Sequence, residues 1–204
     1  MSTTKDICVR IEMNHFNAVT ITGLVHHLAK KKDSKYFPFS IRQETIWTDG
    51  TTRKDFLNAR AFPADVREKL AALPENAPIR VKGVLRSSKG SGELYLAVLE
   101  AETLAELPTQ PENRVELSGN VHLVKAQPEG ETGMGKYVRF AVRQENDDSD
   151  GHKRLDFLVV RVFDEAQQNI LQSLNDKDPV TVEGTLRSSR GSGVNYVLCA
   201  KIGQ

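Results

Sequence analysis

The chain has 204 residues and a formal net charge of +1, and 39% of its residues are hydrophobic, which excludes a disordered chain and a uniformly basic surface. Its two cysteines, Cys8 and Cys199, occupy unmatched positions, and this excludes a disulfide framework. No apolar run of about 18 residues and no apolar leader segment occur, so we expect a cytoplasmic protein.

The first predicted element is a short strand within Asp6–Met13, where Ile7, Val9 and Ile11 alternate with other residues. This strand lies before the part of the chain that is repeated. We therefore assign residues 1–18 to an N-terminal arm that packs as an extra edge strand.

Residues 19–107 then predict five strands and one helix, in the order strand, strand, strand, helix, strand, strand. The first strand contains Gly23, and a glycine inside a strand often marks a bulge or a bend. The helix begins at Pro63, because apolar residues follow it at helical spacing. The strands are Val19–Leu28, Lys35–Glu44, a third that ends at Phe62 after a turn at Thr48–Gly50, and two that follow Pro78.

The same elements are predicted a second time over residues 115–204, after a proline-containing linker at 108–114. The segment LRSSKGSG begins at Leu85 and returns as LRSSRGSG at Leu186, and strands two and three keep this offset of 101 residues. Only the loop after the first strand differs in length, by five residues. Such self-similarity predicts two units of one fold.

The order of elements predicts an all-β protein of two tandem OB-folds, which are five-stranded Greek-key barrels, with one short helix in each. An SH3-like barrel is the alternative, but it normally lacks a helix at this place. OB-folds bind oligonucleotides or oligosaccharides on the face of their second and third strands and at the neighbouring loops.

The third strand of each unit directs aromatic and basic side chains away from the predicted core. In DFLVVRVF the period of two places Leu158, Val160 and Val162 inside the barrel and Phe157 and Phe163 outside. Such a mixture suits single-stranded nucleic acid, whereas a neighbouring domain that covers the aromatic rings is the alternative. The candidate binding residues on these faces are Tyr36, Arg42, Phe56, Arg60, Phe62, Tyr137, Arg139, Arg143, Phe157, Arg161 and Phe163.

Loops next to these faces add further candidates for contacts with phosphates. The glycine turns are predicted to be hairpin turns rather than phosphate cradles, because no helix begins after them. Residues 1–110 carry a net charge of +3 and residues 111–204 a net charge of −2, so we expect the first unit to hold phosphates more strongly. The loop candidates are Lys30, Lys31, Lys32, Trp47, Arg86, Lys89, Arg187 and Arg190.

The sequence resembles the bacterial single-stranded DNA-binding protein family, and the related primosomal replication protein B is similar in strands two and three. The resemblance rests on VELSGNVH, FAVRQE, DFLVVRVF and VEGTLRSS and on a tyrosine in the last strand. It implies that Phe56, Phe62, Phe157 and Phe163 stack on bases. It also implies a nucleoid-associated protein of DNA replication, recombination or repair that binds single-stranded DNA without sequence specificity.

Three features depart from the usual pattern of that family, and the second of them limits the expected partners. The hairpin between the last two strands is short, so a further stacking contact there is in doubt. No acidic tail for recruiting proteins follows the last strand. Two units in one chain resemble the family members that reach four OB-folds as homodimers, and this implies a homodimer.

No catalytic or metal-binding constellation recurs in both units, so we expect no enzyme, no cofactor and no metal. The sequence leaves open whether the ligand is DNA or RNA. The alternative function is an OB-fold scaffold subunit that binds proteins of a replication or recombination assembly and has little affinity for DNA. Oligosaccharide binding fits the fold but not the arginine content.

Overall fold

The computed structural model describes residues 15–28, 35–46, 50–125, 128–147 and 152–204. The predicted strand at Asp6–Met13, the basic run at residues 30–32 and Trp47 lie outside these ranges. The elements within the described ranges are β1 (Asn17–His27), β2 (Phe37–Ile46), β3 (Thr52–Ala61), α1 (Ala64–Ala72), β4 (Pro78–Ser87), β5 (Leu94–Thr103), β6 (Asn113–Leu123), β7 (Glu129–Thr132), β8 (Gly135–Asp147), β9 (Lys153–Val162), α2 (Glu165–Gln172), β10 (Pro179–Ser188) and β11 (Asn195–Gly203).

The first five strands form a closed barrel. β1 pairs antiparallel with both β2 and β4, and β4 pairs antiparallel with β5. β2 pairs antiparallel with β3, and β3 closes the circuit through a short parallel pairing with β5. Helix α1 stands between β3 and β4 in the chain and buries Val66 and Leu70.

Strands β6, β8, β9, β11 and β10 repeat this circuit in the second half of the chain. Helix α2 again follows the third strand of the barrel, and the carboxylate of Asp164 caps it by accepting a bond of 3.0 Å from the backbone N–H of Gln167. A closed five-stranded barrel with a helix between its third and fourth strands is the OB-fold. The predicted fold of two tandem OB-folds is therefore confirmed.

One strand was not predicted. β7 lies in the loop that is five residues longer in the second unit, and it forms a hairpin with β8. Gly135 allows the turn because its φ of 105° favours glycine. The second unit thus carries a β7–β8 hairpin beside its barrel.

Glycines in the first strand of each unit permit the predicted bend. A Cβ atom on Gly23 would lie 2.5 Å from Cγ2 of Ile41, and one on Gly119 would lie 2.6 Å from the carbonyl oxygen of Arg143. A larger residue cannot approach the neighbouring strand so closely. The bend lets β1 and β6 each pair with two strands of the same barrel.

The two barrels are joined by β1 and β6, which pair antiparallel from Asn17 opposite Leu117 to Ile21 opposite Asn113. The side chain of Asn17 also donates a bond of 2.8 Å to Oε1 of Gln144 in the second barrel. Asn113 donates the equivalent bond of 2.6 Å to Oε1 of Gln43 in the first barrel. The pairing of β1 with β6 thus joins the strands of both barrels into one sheet.

Two buried carboxylates connect the barrels a second time. Asp55 accepts bonds of 2.9 Å from the backbone N–H of Ser188 and 2.8 Å from the guanidinium of Arg187, and Arg53 also binds it. We call this group the Asp55 network. The Asp156 network is its counterpart, with Ser87, Arg86 and Arg154.

These networks change the placement of two candidate residues. The sequence placed Arg86 and Arg187 among the contacts with phosphate. In the structure their guanidiniums bind the buried carboxylates of the opposite unit, so each is held in an ion pair between the units.

No helix in the described ranges is both long and apolar enough to cross a membrane. Cys199 is buried, and burial raises the pKa of its thiol to about 12. A thiol with such a pKa stays protonated, as expected for a small hydrophobic core residue. The other cysteine, Cys8, lies outside the described residues.

Candidate nucleic-acid interface

Each barrel presents an outer face on its second and third strands. Along β3, Leu57, Ala59 and Ala61 are buried while the side chains between them point outward, as the period of two predicts. We define the first outer face as Tyr36, Arg42, Phe56, Arg60 and Phe62. We define the second outer face as Tyr137, Arg139, Arg143, Phe157, Arg161 and Phe163.

The phenylalanine rings on these faces are accessible. Phe56 and Phe62 are 39% and 41% exposed, and Phe157 and Phe163 are half-buried at the equivalent places. The two phenylalanines of each face are six positions apart in the sequence, which corresponds to about 20 Å of extended chain. Each face is therefore long enough to contact several nucleotides.

A central arginine stands between two tyrosines on the first outer face. The guanidinium carbon of Arg60 lies 3.9 Å from the ring centroid of Tyr95 and 5.0 Å from that of Tyr36. Its Nη2 donates a hydrogen bond of 3.0 Å to Oγ of Ser88. Cation–π contacts and this bond hold the guanidinium in one orientation.

The second outer face repeats this arrangement. Arg161 lies 4.0 Å from the ring of Tyr196 and 4.9 Å from that of Tyr137, and it donates a bond of 2.8 Å to Ser189. Neither Arg60 nor Arg161 forms an ion pair with a carboxylate among the residues that the structure describes. Each face thus holds an oriented cation whose charge is available to a ligand.

A histidine packs against the first phenylalanine of each third strand. His26 meets Phe56 edge to face at 5.1 Å, and its Nδ1 lies 2.7 Å from a carboxylate oxygen of Glu75. The backbone N–H of His27 and then the imidazole of His26 lower the pKa of Glu75 below its usual value. The carboxylate therefore stays charged and fixes the imidazole ring against the phenylalanine.

The same arrangement recurs in the second unit. His122 meets Phe157 edge to face at 4.8 Å, and its Nδ1 lies 3.6 Å from a carboxylate oxygen of Asp176. Histidine and acid thus occur together in both units although the acid changes from glutamate to aspartate. In each unit the histidine of this histidine–acid pair contacts the phenylalanine ring edge to face and helps to orient it.

Arginines on the second strands lie directly opposite these phenylalanines. Arg42 is the cross-strand neighbour of Phe56, and Arg143 is the neighbour of Phe157. Each is near an acid, since Arg42 lies 3.6 Å from Glu44 and Arg143 lies 3.9 Å from Glu145. These pairs are solvent-exposed and therefore weak, so a phosphate can compete for the arginine.

The structure brings most predicted site residues together on the two outer faces, and it adds residues that we missed. Lys89 and Arg190 are exposed in the glycine turns. Sequence reasoning missed Tyr95 and Tyr196 as parts of the faces, and the structure adds Ser88, Ser189, His26 and His122 beside them. Their recurrence at equivalent positions of the repeat was the signal that could have identified them.

The arrangement offers aromatic surfaces and cations. Among the described residues, no group of three or more histidine, cysteine, aspartate or glutamate side chains is placed to hold a metal ion. What the faces can do chemically is stack planar rings and neutralise anions.

Comparison with solved structures agrees with this fold. The wild-type single-stranded DNA-binding protein from Thermus aquaticus is similar to this chain with a TM-score of 0.69 and 17% identity, covering 93% of each chain. A deletion mutant of that protein is similar with a TM-score of 0.67 and 18% identity, covering 93% of this chain and 94% of the other. No protein-family model and no curated protein matches this sequence. At this identity the likeness establishes the fold.

Proposed function

We propose that this protein binds single-stranded DNA without sequence preference, by stacking bases on its outer faces and pairing phosphates with its arginines. The observation that carries the proposal is the repeated set of phenylalanine, tyrosine and oriented arginine on both OB-fold faces. The similar Thermus aquaticus structures are of a single-stranded DNA-binding protein, which supports the same ligand here.

The chemistry of the faces favours stacking over reading of base edges. Every base has a flat aromatic surface, and stacking on a protein ring contributes about 1 to 3 kcal/mol per base whatever its identity. Arg60 and Arg161 have part of their hydrogen-bonding capacity used by Ser88 and Ser189. They act as oriented charges for the backbone, and this gives affinity without sequence preference.

The salt dependence of binding tests this proposal. Six cations remain available on or beside the faces, namely Arg42, Arg60, Lys89, Arg143, Arg161 and Arg190. If each neutralises one phosphate, the logarithm of the affinity for oligo-dT should fall with the logarithm of salt concentration with a slope of about −4. The measurement is fluorescence anisotropy of labelled oligo-dT at several salt concentrations, with duplex DNA of the same length as the control. A folded protein without affinity for oligo-dT would reject the proposal and favour the scaffold function.

We further propose that the protein acts on cytoplasmic, nucleoid-associated single-stranded DNA during replication, recombination or repair. Its DNA-binding units are proposed to be the predicted units 19–107 and 115–204, extended to begin at Asn17 and Asn113, where β1 and β6 begin. The predicted linker of residues 108–114 is thereby reduced to residues 108–112. Both units contribute, because each contains the full set of stacking residues. Binding requires no catalysis.

We also propose that the protein is a homodimer. The shared sheet is the sheet that β1 and β6 join across the two barrels, and the pattern of charges on its exposed surface supports this proposal. Lys82 and Glu100 are exposed neighbours on β4 and β5 of the first unit. The equivalent neighbours in the second unit are Glu183 and Lys201, so the two charges are exchanged. Two copies that meet with the first unit against the second thus place unlike charges opposite each other.

Light scattering at micromolar concentration should therefore give about twice the chain mass of 22.7 kDa. Lys82→Glu should shift the equilibrium toward the monomer, because it places glutamate opposite Glu183. The double variant with Glu183→Lys should restore the dimer. A monomeric wild-type protein, or a double variant as dissociated as the single one, would contradict this arrangement.

A further inference from the structure

A cleft of about 590 Å³ opens beside the second outer face, and its walls include residues that do not belong to that face. The β7–β8 hairpin forms one wall with Thr132 and Met134, and the turn between β10 and β11 forms the other with Ser189 and Arg190. Tyr137, Arg161 and Tyr196 also line it. The volume lies within the range of about 300 to 1,000 Å³ that is usual for small-molecule sites.

The first unit also contributes to this cleft. Arg53 at the start of β3 lines it, and Nη1 of Arg53 lies 3.3 Å from Sδ of Met134. Its Nη2 donates a bond of 2.8 Å to the carbonyl oxygen of Ser188. The cleft is therefore built from both barrels, and the inter-unit networks fix its shape.

The lining has the chemistry of a nucleotide site. Three guanidiniums, two tyrosine rings and four hydroxyl side chains line the cleft, and no carboxylate does. Asp55 forms an ion pair with Arg53, whereas Arg161 and Arg190 have no carboxylate partner among the described residues. Two unpaired guanidiniums favour a phosphate, and an adjoining tyrosine ring favours a base.

The hairpin wall is a local feature of the second unit. Gly130 of β7 pairs with Tyr137 of β8, and a Cβ atom on Gly130 would lie only 2.4 Å from the tyrosine hydroxyl oxygen. Glycine at this position thus lets the ring lie flat along the hairpin. The loop at this place in the first unit is five residues shorter.

We propose that this cleft encloses one nucleotide of the bound strand, with its base against Tyr137 and its phosphate between Arg190 and Arg161. This inference rests on the proposed function, and it implies that the second unit binds the strand more tightly than the first. The net charges of the two halves predicted that the first unit holds phosphates more strongly, and the cleft reverses that prediction. The local affinity depends on the charges that line the cleft, not on the net charge of residues 111–204.

Methionine methyl resonances report on this cleft directly. The chain contains three methionines, of which Met134 lies in the cleft wall, and Met134→Leu identifies its signal in a spectrum of protein labelled with ¹³C at the methionine methyl groups. Adding oligo-dT of about eight nucleotides should shift the Met134 signal as binding saturates. Anisotropy of the same oligonucleotide measures binding independently.

Matched tyrosine variants provide the second readout. Tyr137→Ala should lower the affinity for oligo-dT about tenfold, whereas Tyr36→Ala at the equivalent position of the first unit should lower it about threefold. Tyr137→Phe keeps the ring and should retain the wild-type affinity, which separates loss of stacking from loss of folding.

The outcomes separate this inference from the proposed function. An unchanged Met134 signal at saturating oligo-dT, or equal losses for the two alanine variants, would overturn the cleft assignment while DNA binding itself stands. Absence of any binding by anisotropy would reject the proposed function and the inference with it.

Discussion

Replacing Phe56, Phe62, Phe157 and Phe163 together with alanine is expected to lower the affinity for single-stranded DNA at least about a thousandfold. Each ring is proposed to stack on a base, and stacking contributes about 1 to 3 kcal/mol per base. Four losses at the lower limit already amount to about 4 kcal/mol, which is close to a thousandfold.

The fold should survive these four substitutions. The rings are half-buried or exposed, and the barrel cores are formed by other residues such as Phe39 and Phe140, which are fully buried. Phe16→Ala is the matched control, because Phe16 is 54% exposed but belongs to neither outer face. Anisotropy with oligo-dT measures the affinity, and circular dichroism verifies folding. A folded quadruple variant that binds as the wild type does would refute base stacking on these faces.

Replacing both Asp55 and Asp156 with alanine is expected to produce the largest loss of stability of any pair of substitutions proposed for this chain. Each carboxylate is buried and joins the two barrels through the Asp55 and Asp156 networks. Removing one partner of a buried ion pair costs about 3 to 5 kcal/mol, because the remaining charges lose their compensation. Urea denaturation measures the free energy of unfolding.

Lys54→Ala is the control for this experiment. Lys54 forms a surface pair of 3.7 Å with Glu44 and is well exposed, so its removal should leave the unfolding midpoint nearly unchanged. Equal destabilisation by the control, or an unchanged midpoint in the double aspartate variant, would show that the networks do not hold the barrels together.

The two networks also predict how stability depends on pH. Burial is the largest influence on Asp55 and raises its pKa, but the backbone N–H of Ser188 and the guanidiniums of Arg53 and Arg187 outweigh it, so the pKa is lowered. The pKa of Asp156 is lowered in the same way. A lowered pKa means that this stability is present above the unfolded-state pKa of about 3.9 and is lost as pH falls through the folded-state value. The aspartate variants should therefore show a weaker dependence of unfolding free energy on pH below about 4.

The period of two and the repeat were sufficient to predict the barrels and the outward direction of Phe157 and Phe163. These features depend on the pattern of residues that are adjacent in the sequence, so they can be inferred without the structure. The ion pair of Arg86 was not predicted, because its partner Asp156 is 70 residues away and lies in the other barrel. Sequence spacing does not show which unit a side chain will meet.

The repeated LRSS segment illustrates this difference. Leu85 enters the core, Arg86 and Ser87 bind Asp156 of the other unit, and Ser88 orients Arg60 within its own unit. Four consecutive residues thus lie in three different environments: the core, the contact with the other unit, and the outer face of their own unit. β7 was missed for another reason, since a strand of four residues with polar and glycine side chains has no apolar pattern.

Photocrosslinking tests the central claim most directly, because it locates the strand on the protein. The full chain bound to oligo-dT that contains 5-iododeoxyuridine is irradiated, and the crosslinked residues are identified by mass spectrometry. We expect crosslinks at Phe56, Phe62, Phe157, Phe163 and Tyr137, on the two outer faces. Crosslinks confined to the exposed surface of the shared sheet, around Lys82 and Lys201, would contradict the assignment of these faces as the DNA-binding surface.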